Sequence, residues 1–128
     1  MTDDARCPCG SGASFATCCG PVIAGNRPAL TAADLMRSRY TAYHRGDIDH
    51  LRRSWDPSTV PSGVAFDPEI RWQGLAILDT QAGQALDQEG TVTFVARFVG
   101  DAGERELRER SRFVRHEGRW VYIDGDPF

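Results

Sequence analysis

Hydrophobic positions change their period once along this chain. Between Thr31 and Arg45 the apolar residues recur at helical spacing. At about 100° per residue, Leu35, Met36, Tyr40, Ala42 and Tyr43 share one arc with Arg39. Asp34, Arg37, Ser38, Thr41 and Arg45 form the other. Thr31 is a good N-cap and Gly46 a good stop, so the pattern predicts a helix to about Arg45. Asp47 is placed to cap a shorter helix that aligns Ile48, Leu51 and Trp55 and ends at Asp56-Pro57. A loop rich in Pro and Ser is expected to follow to about Pro68.

Beyond that loop the period drops to two. Glu69–Thr80 puts Ile70, Trp72, Ala76 and Leu78 on one face, and Gly90–Val99 alternates Val92, Phe94, Ala96 and Phe98. Glu104–Arg115 sets Leu107, Glu109, Ser111 and Phe113 against Arg108, Arg110, Arg112 and Val114; Arg119–Asp124 reads as a last strand. Gln81-Ala82-Gly83, Asp101-Ala102-Gly103 and Glu117-Gly118 supply hairpin chemistry between them. Helices followed by a four-strand meander predict an α+β fold, with helices packed on one face of a curved antiparallel sheet.

Two charged residues break this pattern. Arg39 sits within the apolar stripe of the long helix, and Glu109 sits in the inward row of its strand. A buried guanidinium needs hydrogen bonds and an acid, because unpaired burial costs several kcal/mol, of order 3–5. Arg39 and Glu109 are therefore expected to approach each other between helix and sheet, with Asp124 as the second choice of partner. Such a pair either fixes helix against sheet or anchors a ligand. Tyr40, Tyr43 and Trp72 would then line a pocket together with Arg39 and Glu109. Trp55, Trp72, Trp120 and Tyr122 equally have the bulk to fill it.

Composition narrows the function classes. A chain of 128 residues with 41% hydrophobic and 26% charged content fits one soluble globular domain behind a short module. No apolar run approaches a membrane span, so no membrane role is expected. A net charge of −3 argues against wholesale nucleic-acid binding. The row Arg108, Arg110, Arg112, with Arg97 beside it, admits RNA phosphates as a partner, but Glu104 and Glu106 dilute it, and a solvated face is the preferred reading. All fifteen basic residues are arginine, which we ascribe to GC-rich codons. There is no Gly-rich phosphate loop, and His44, His50 and His116 have no metal-like or triad-like neighbour in sequence.

The densest chemistry is the run CPCGSGASFATCC, which holds all four cysteines, Cys7, Cys9, Cys18 and Cys19. Four thiolates at this spacing can close a tetrahedral site on one structural Zn²⁺ ion. Gly10, Ser11 and Gly12 allow the tight turns and can aim amides at sulfur; Pro8 stiffens the first pair. Phe15 is expected to pack on the main body, and Gly20-Pro21 to end the module. This divides the chain into a module at 1–25, a linker Val22–Leu30 and a body at 30–128. Two disulfides, a redox role and an iron–sulfur role are the alternatives. Met1–Asp4 is acidic and carries no leader-like apolar run, so a reducing cytoplasmic setting is expected, which favours metal.

The C-x-C-G-S-G run with its closing cysteine pair closely resembles the SEC-C motif, the zinc module at the C-terminus of the SecA translocation ATPase. Many members close with Cys-His; here it is Cys18-Cys19. The runs LMRSRYTAYHRGDIDHLRRSWDP, WQGLAIL, VTFVARF and ERSRFVRHEGRWVYIDG resemble the bacterial YchJ-like family, which couples a SEC-C motif to a domain similar to nuclear transport factor 2 (NTF2). The resemblance implies a cone of helices over a bent sheet, and zinc on Cys7, Cys9, Cys18 and Cys19. It also implies docking of the module onto a protein or ribosomal partner. Some members carry a second, C-terminal SEC-C motif; none appears before Phe128, so bridging by two modules is not expected. The family's activity is undefined. The first expectation is therefore a zinc-binding interaction protein rather than an enzyme. A small-molecule binder or acid–base enzyme using the cone, and then RNA binding through the arginine row, are the alternatives.

Overall fold

The computed structural model describes residues 5–64, 66 and 69–128. The acidic start at Met1–Asp4 and the expected loop end at Pro68 lie outside the described residues. A helical layer, α1 (Cys19–Ala24), α2 (Ala32–Arg45) and α3 (Ile48–Arg53), is followed by strands β1 (Arg71–Ala82), β2 (Glu89–Gly100), β3 (Gly103–His116) and β4 (Arg119–Pro127). The strands form one antiparallel sheet in the order β1-β2-β3-β4. The architecture is the α+β fold expected from the pattern, and the cone that the family resemblance implies, with α2 lying across the sheet.

Local chemistry sets the ends of α2. Thr31 Oγ1 accepts from the Asp34 N–H at 3.0 Å. Gly46 takes φ 83° and returns its N–H to the Ala42 carbonyl. Glu117 and Gly118, at φ 52° and 82°, make the expected tight β3–β4 turn. Gly20-Pro21 does not interrupt the chain's first α-helix. Pro21 lies in the first turn of α1, where its missing N–H costs nothing, and the helix runs on to a left-handed Gly25.

Strand β1 departs from simple alternation. Trp72 faces Phe98, but register shifts between Trp72 and Gly74 and between Ile77 and Asp79 place Leu75 opposite Ala96 and Ile77 opposite Phe94. An extra residue flips every side chain beyond it. Leu75 and Ile77 therefore pack on the core, whereas Ala76 is exposed and Leu78 is 55% exposed. On β2, Val92, Phe94 and Ala96 point inward as the alternation requires.

The core joins both parts of the chain. Leu35, Met36 and Tyr40 of α2 cluster with Val92, Phe94, Ala96, Phe113 and Trp120, and Cys7, Cys9 and Cys19 belong to the same cluster. The second arc of α2 is partly covered. Ser38 and Thr41 are fully buried, Thr41 beneath the cysteines and Ser38 against α3. Small polar side chains let both neighbours approach closely.

Ser38 Oγ donates to the Leu35 carbonyl at 2.8 Å and lies 2.9 Å from His50 Nε2. With the hydroxyl proton used, Nε2–H of a neutral imidazole donates to Ser38. Burial, then the charges of Arg39 and Arg53, push His50 down to about 4. The folded value lies below the unfolded one of about 6.5, so the unfolded state binds the proton first. Stability is fully present above about pH 6.5 and falls as pH drops toward about 4, by roughly 2–3 kcal/mol at pH 4.5. Urea unfolding at pH 7.0 and 4.5 should show this loss in the wild type relative to His50→Gln. Equal losses in the two proteins would remove His50 as the titrating group.

Candidate metal centre and cone pocket

The N-terminal loop is closed by its own backbone. The Cys7 N–H reaches the Ala13 carbonyl, and Arg6 bridges Ser14. The Sγ atoms of Cys7, Cys9, Cys18 and Cys19 all lie within 4.8 Å of one another, with Cys9–Cys18 at 3.7 Å and Cys18–Cys19 at 4.0 Å. Four thiolates about 2.3 Å from one ion stand about 3.8 Å apart, so the spacing is that of a single tetrahedral site. Disulfide sulfurs would touch at about 2.05 Å, and all four cysteines are free.

Hydroxyls support this set. Ser11 Oγ lies 3.1 Å from Cys18 Sγ. Thr41 Oγ1, on α2, donates to Cys19 Sγ at 3.4 Å and stands 3.7 Å from Cys7 Sγ. The sulfurs compete for protons: the hydrogen bond with Cys19 holds Cys9 down to about 4, and the same bond, with burial, raises Cys19. Burial raises Cys18. A divalent cation at the centre would relieve this competition by replacing protons on all four sulfurs. The all-sulfur donor set fits a soft or borderline metal ion.

Arginines strap the module to the body. Arg37 Nη1 donates to the Cys9 carbonyl at 3.0 Å, and Arg27 Nη2 to the Cys18 carbonyl at 2.8 Å. Arg45 lies 4.1 Å over the Phe15 ring, and Phe15 packs on the core cluster. Thr41 and Arg37 are parts of this site that the helical pattern does not single out. Their only sequence signal is i, i+4 spacing on the arc opposite the apolar stripe.

The second feature is a cavity of about 220 Å³ between α2 and the sheet. Arg39, Tyr40, Tyr43, Trp72 and Glu109, the five residues named from sequence, all line it, together with Trp55, Phe94, Ser111 and Tyr122. Trp120 does not fill it. Its Nε1 donates to the Leu30 carbonyl at 3.1 Å and its ring carries Arg115 at 4.3 Å.

Arg39 and Glu109 do not form the expected direct pair: no ion pair joins them among the described residues. Arg39 Nη1 instead donates to the Leu51 carbonyl at 3.0 Å and to Ser54 Oγ at 2.7 Å. Its guanidinium lies 4.7 Å from the centres of both the Trp55 and Tyr122 rings, which meet edge-on 5.3 Å apart. The end of α3 supplies a carbonyl that lacks a helical partner, and two aromatic faces supply the remaining stabilisation. Burial lowers Arg39 to about 10, so it stays charged at neutral pH. Asp124, the second choice of partner, lies on the outer face with Arg112.

Glu109 Oε2 accepts from Ser111 Oγ at 2.6 Å and from the Tyr122 hydroxyl at 3.0 Å. Burial, then the neighbouring Glu109 charge, raises Tyr122 and keeps its proton in place. Gly125 lies against this side chain, and a Cβ there would push the Glu109 carboxylate out of its present place.

Two family models match the chain. The YchJ middle NTF2-like domain covers residues 31–125 and the SEC-C motif covers residues 5–21. The chain belongs to the YchJ-like family. A UPF0225 protein of Streptomyces avermitilis is 51% identical over 124 residues, covering 97% of this chain and 86% of that protein. One from Deinococcus radiodurans is 44% identical over 119 residues, covering 92% and 86%. The solution structure of a SEC-C motif-containing protein from Rhodopseudomonas palustris superposes with a TM-score of 0.81 at 33% identity, over 95% of this chain and 98% of that one. A crystal structure of a SEC-C motif-containing protein from Psychrobacter arcticus shares the fold, with a TM-score of 0.76 at 22% identity over 97% and 84%.

In this YchJ-like chain the outer arginine row is largely matched by acids. Arg108 pairs with Glu106 at 3.1 Å, and Arg112 with both Asp124 and Asp126. Among the described residues, no helix is long and apolar enough to cross a membrane.

Proposed function

We propose that this YchJ-like protein binds a small organic molecule in the cavity between α2 and the sheet, and that a structural Zn²⁺ ion on its four cysteines holds α2 in place. One observation carries the ligand reading. A buried cation, Arg39, lines a cavity while, among the described residues, its Nε and Nη2 donate to no protein acceptor. This donor edge is free to meet a ligand. Zinc is favoured because the sulfurs are spaced for one ion, whereas an iron–sulfur cluster spreads them around several atoms. A reducing compartment such as the cytoplasm suits four free thiols. We keep the division into a module at 1–25 and a body at 30–128.

Docking onto a protein or ribosomal partner ranks second. It rests on the SEC-C likeness, while Phe15, Ile23 and three cysteines are spent on this chain's own core. The local pairing of the arginine row ranks RNA binding third.

The test is protein-observed NMR on metal-loaded protein with benzene derivatives carrying a carboxylate, an amine or neither. Indole signals of Trp55 and Trp72 should shift, while that of Trp120, bonded to Leu30, should not. No shift with any probe removes the ligand reading. Metal analysis should give one zinc per chain; iron in its place removes zinc.

A further inference from the structure

Among the described residues, the cavity leaves one donor edge and one acceptor atom open, on groups of opposite charge. Arg39 Nη1 is used by Leu51 and Ser54. Nε–H and Nη2–H lie parallel along the other edge of the guanidinium, the edge that grips a carboxylate through two bonds. Trp55 and Tyr122, which meet edge-on, both lie 4.7 Å from the guanidinium and shield part of it. At the other pole, Glu109 Oε2 already accepts two hydrogen bonds, whereas Oε1 accepts none among the described residues. Tyr122 touches both poles, stacking its ring on Arg39 and donating its hydroxyl to Glu109. One side chain thus holds the two charges apart, beyond ion-pairing distance.

This arrangement selects by charge. A simple anion on Arg39 would meet repulsion from Glu109, and a simple amine at Glu109 would meet repulsion from Arg39. A molecule carrying both charges pairs with each. Between the poles the walls are Tyr40, Tyr43, Trp72 and Phe94, which suit an apolar body and offer ring faces to an ammonium group. A cavity of about 150 Å³ accepts a benzene ring, so about 220 Å³ has room for a ring with a short polar tail.

Resting on the ligand-binding reading above, we infer that the cavity takes a small zwitterion of amino-acid size. Its carboxylate lies on Nε and Nη2 of Arg39, its ammonium on Oε1 of Glu109, and its apolar group against Trp72.

Calorimetry on metal-loaded protein with L-phenylalanine, 3-phenylpropanoate and 2-phenylethylamine tests this, because the three share a ring and chain length and differ in charge. L-Phenylalanine should bind at least tenfold tighter than either of the others. Glu109→Gln should weaken L-phenylalanine about tenfold and strengthen 3-phenylpropanoate. Equal affinity of wild-type protein for 3-phenylpropanoate and L-phenylalanine would make this a plain anion site and overturn the zwitterion. If all three fail while neutral benzenes still shift Trp55 and Trp72, the cavity is a ligand site but the charge assignment is wrong. If those shifts are absent as well, the ligand-binding reading falls with it.

Discussion

Cys9→Ser is expected to release the metal ion and to lower the unfolding temperature by about 10 °C or more. Cys9 is fully buried, its Sγ stands 3.7 Å from that of Cys18, and its carbonyl anchors Arg37 of α2. Structural zinc contributes about 10–16 kcal/mol of apparent binding energy in small zinc domains, and that energy is also folding energy where the site forms only in the folded state. Three thiolates and a hydroxyl retain little of it. The loss should not stay local, because Cys7, Cys9 and Cys19 share a core cluster with Leu35, Met36 and Tyr40. Tyr40 in turn stacks edge-on against Trp72, 5.9 Å away across the cavity, so tryptophan emission should change with metal loss. Elemental analysis and calorimetry check both halves. Undiminished metal content in Cys9→Ser would remove Cys9 from the ligand set.

What could be read from the sequence follows from how local its chemistry is. Thr31 and Gly46 mark the ends of α2 because capping is decided within a few residues. Strand β2 is legible because its pairing with β3 runs without a register shift, so Val92, Phe94 and Ala96 share one face. The cysteine cluster is legible because its ligands lie in one short run. The inner face of β1 is not, because the register shift after Trp72 has no local sign beyond Gly74, and one extra residue reverses the alternation. The burial of Ser38 and Thr41 depends on α3 and the cysteine loop arriving from outside α2, which helical periodicity does not record.

Arg39 shows the same limit at the candidate site. Its position in the apolar stripe announces burial, and it is 3% exposed. Its partners could not be named from residue type. One is the Leu51 carbonyl, a group every residue owns, and two are rings drawn from Trp55 and Tyr122, far apart in the chain. Glu109, the acid that residue type points to, lines the same cavity but serves Ser111 and Tyr122.

Two substitutions at Arg39 separate its structural from its binding role. Arg39→Ala is expected to be about 2–5 kcal/mol less stable than Arg39→Met in urea unfolding. Both variants take a donor from the Leu51 carbonyl and Ser54 Oγ, which keep the bonds Ser54 makes to Leu51 and His50, but only alanine leaves the space beside the two rings empty. Arg39→Met should cost less than about 1 kcal/mol or stabilise. Methionine refills the space beside Trp55 and Tyr122, and burying the charge itself carries a penalty: a fall to about 10 from an ordinary 12.5 corresponds to roughly 3 kcal/mol against the charged form. The sign follows from linkage. A base whose folded value is depressed is disfavoured in its charged form at every pH below that value, so removing the charge at pH 7 relieves the penalty. The Met variant should nevertheless lose all affinity for carboxylate probes, because no side chain replaces the Nε–Nη2 edge. If Met costs as much as Ala, the bonds to Leu51 and Ser54 are what the fold needs from Arg39, and the cation is structural. If Met is tolerated and carboxylate binding vanishes, the buried charge serves the ligand.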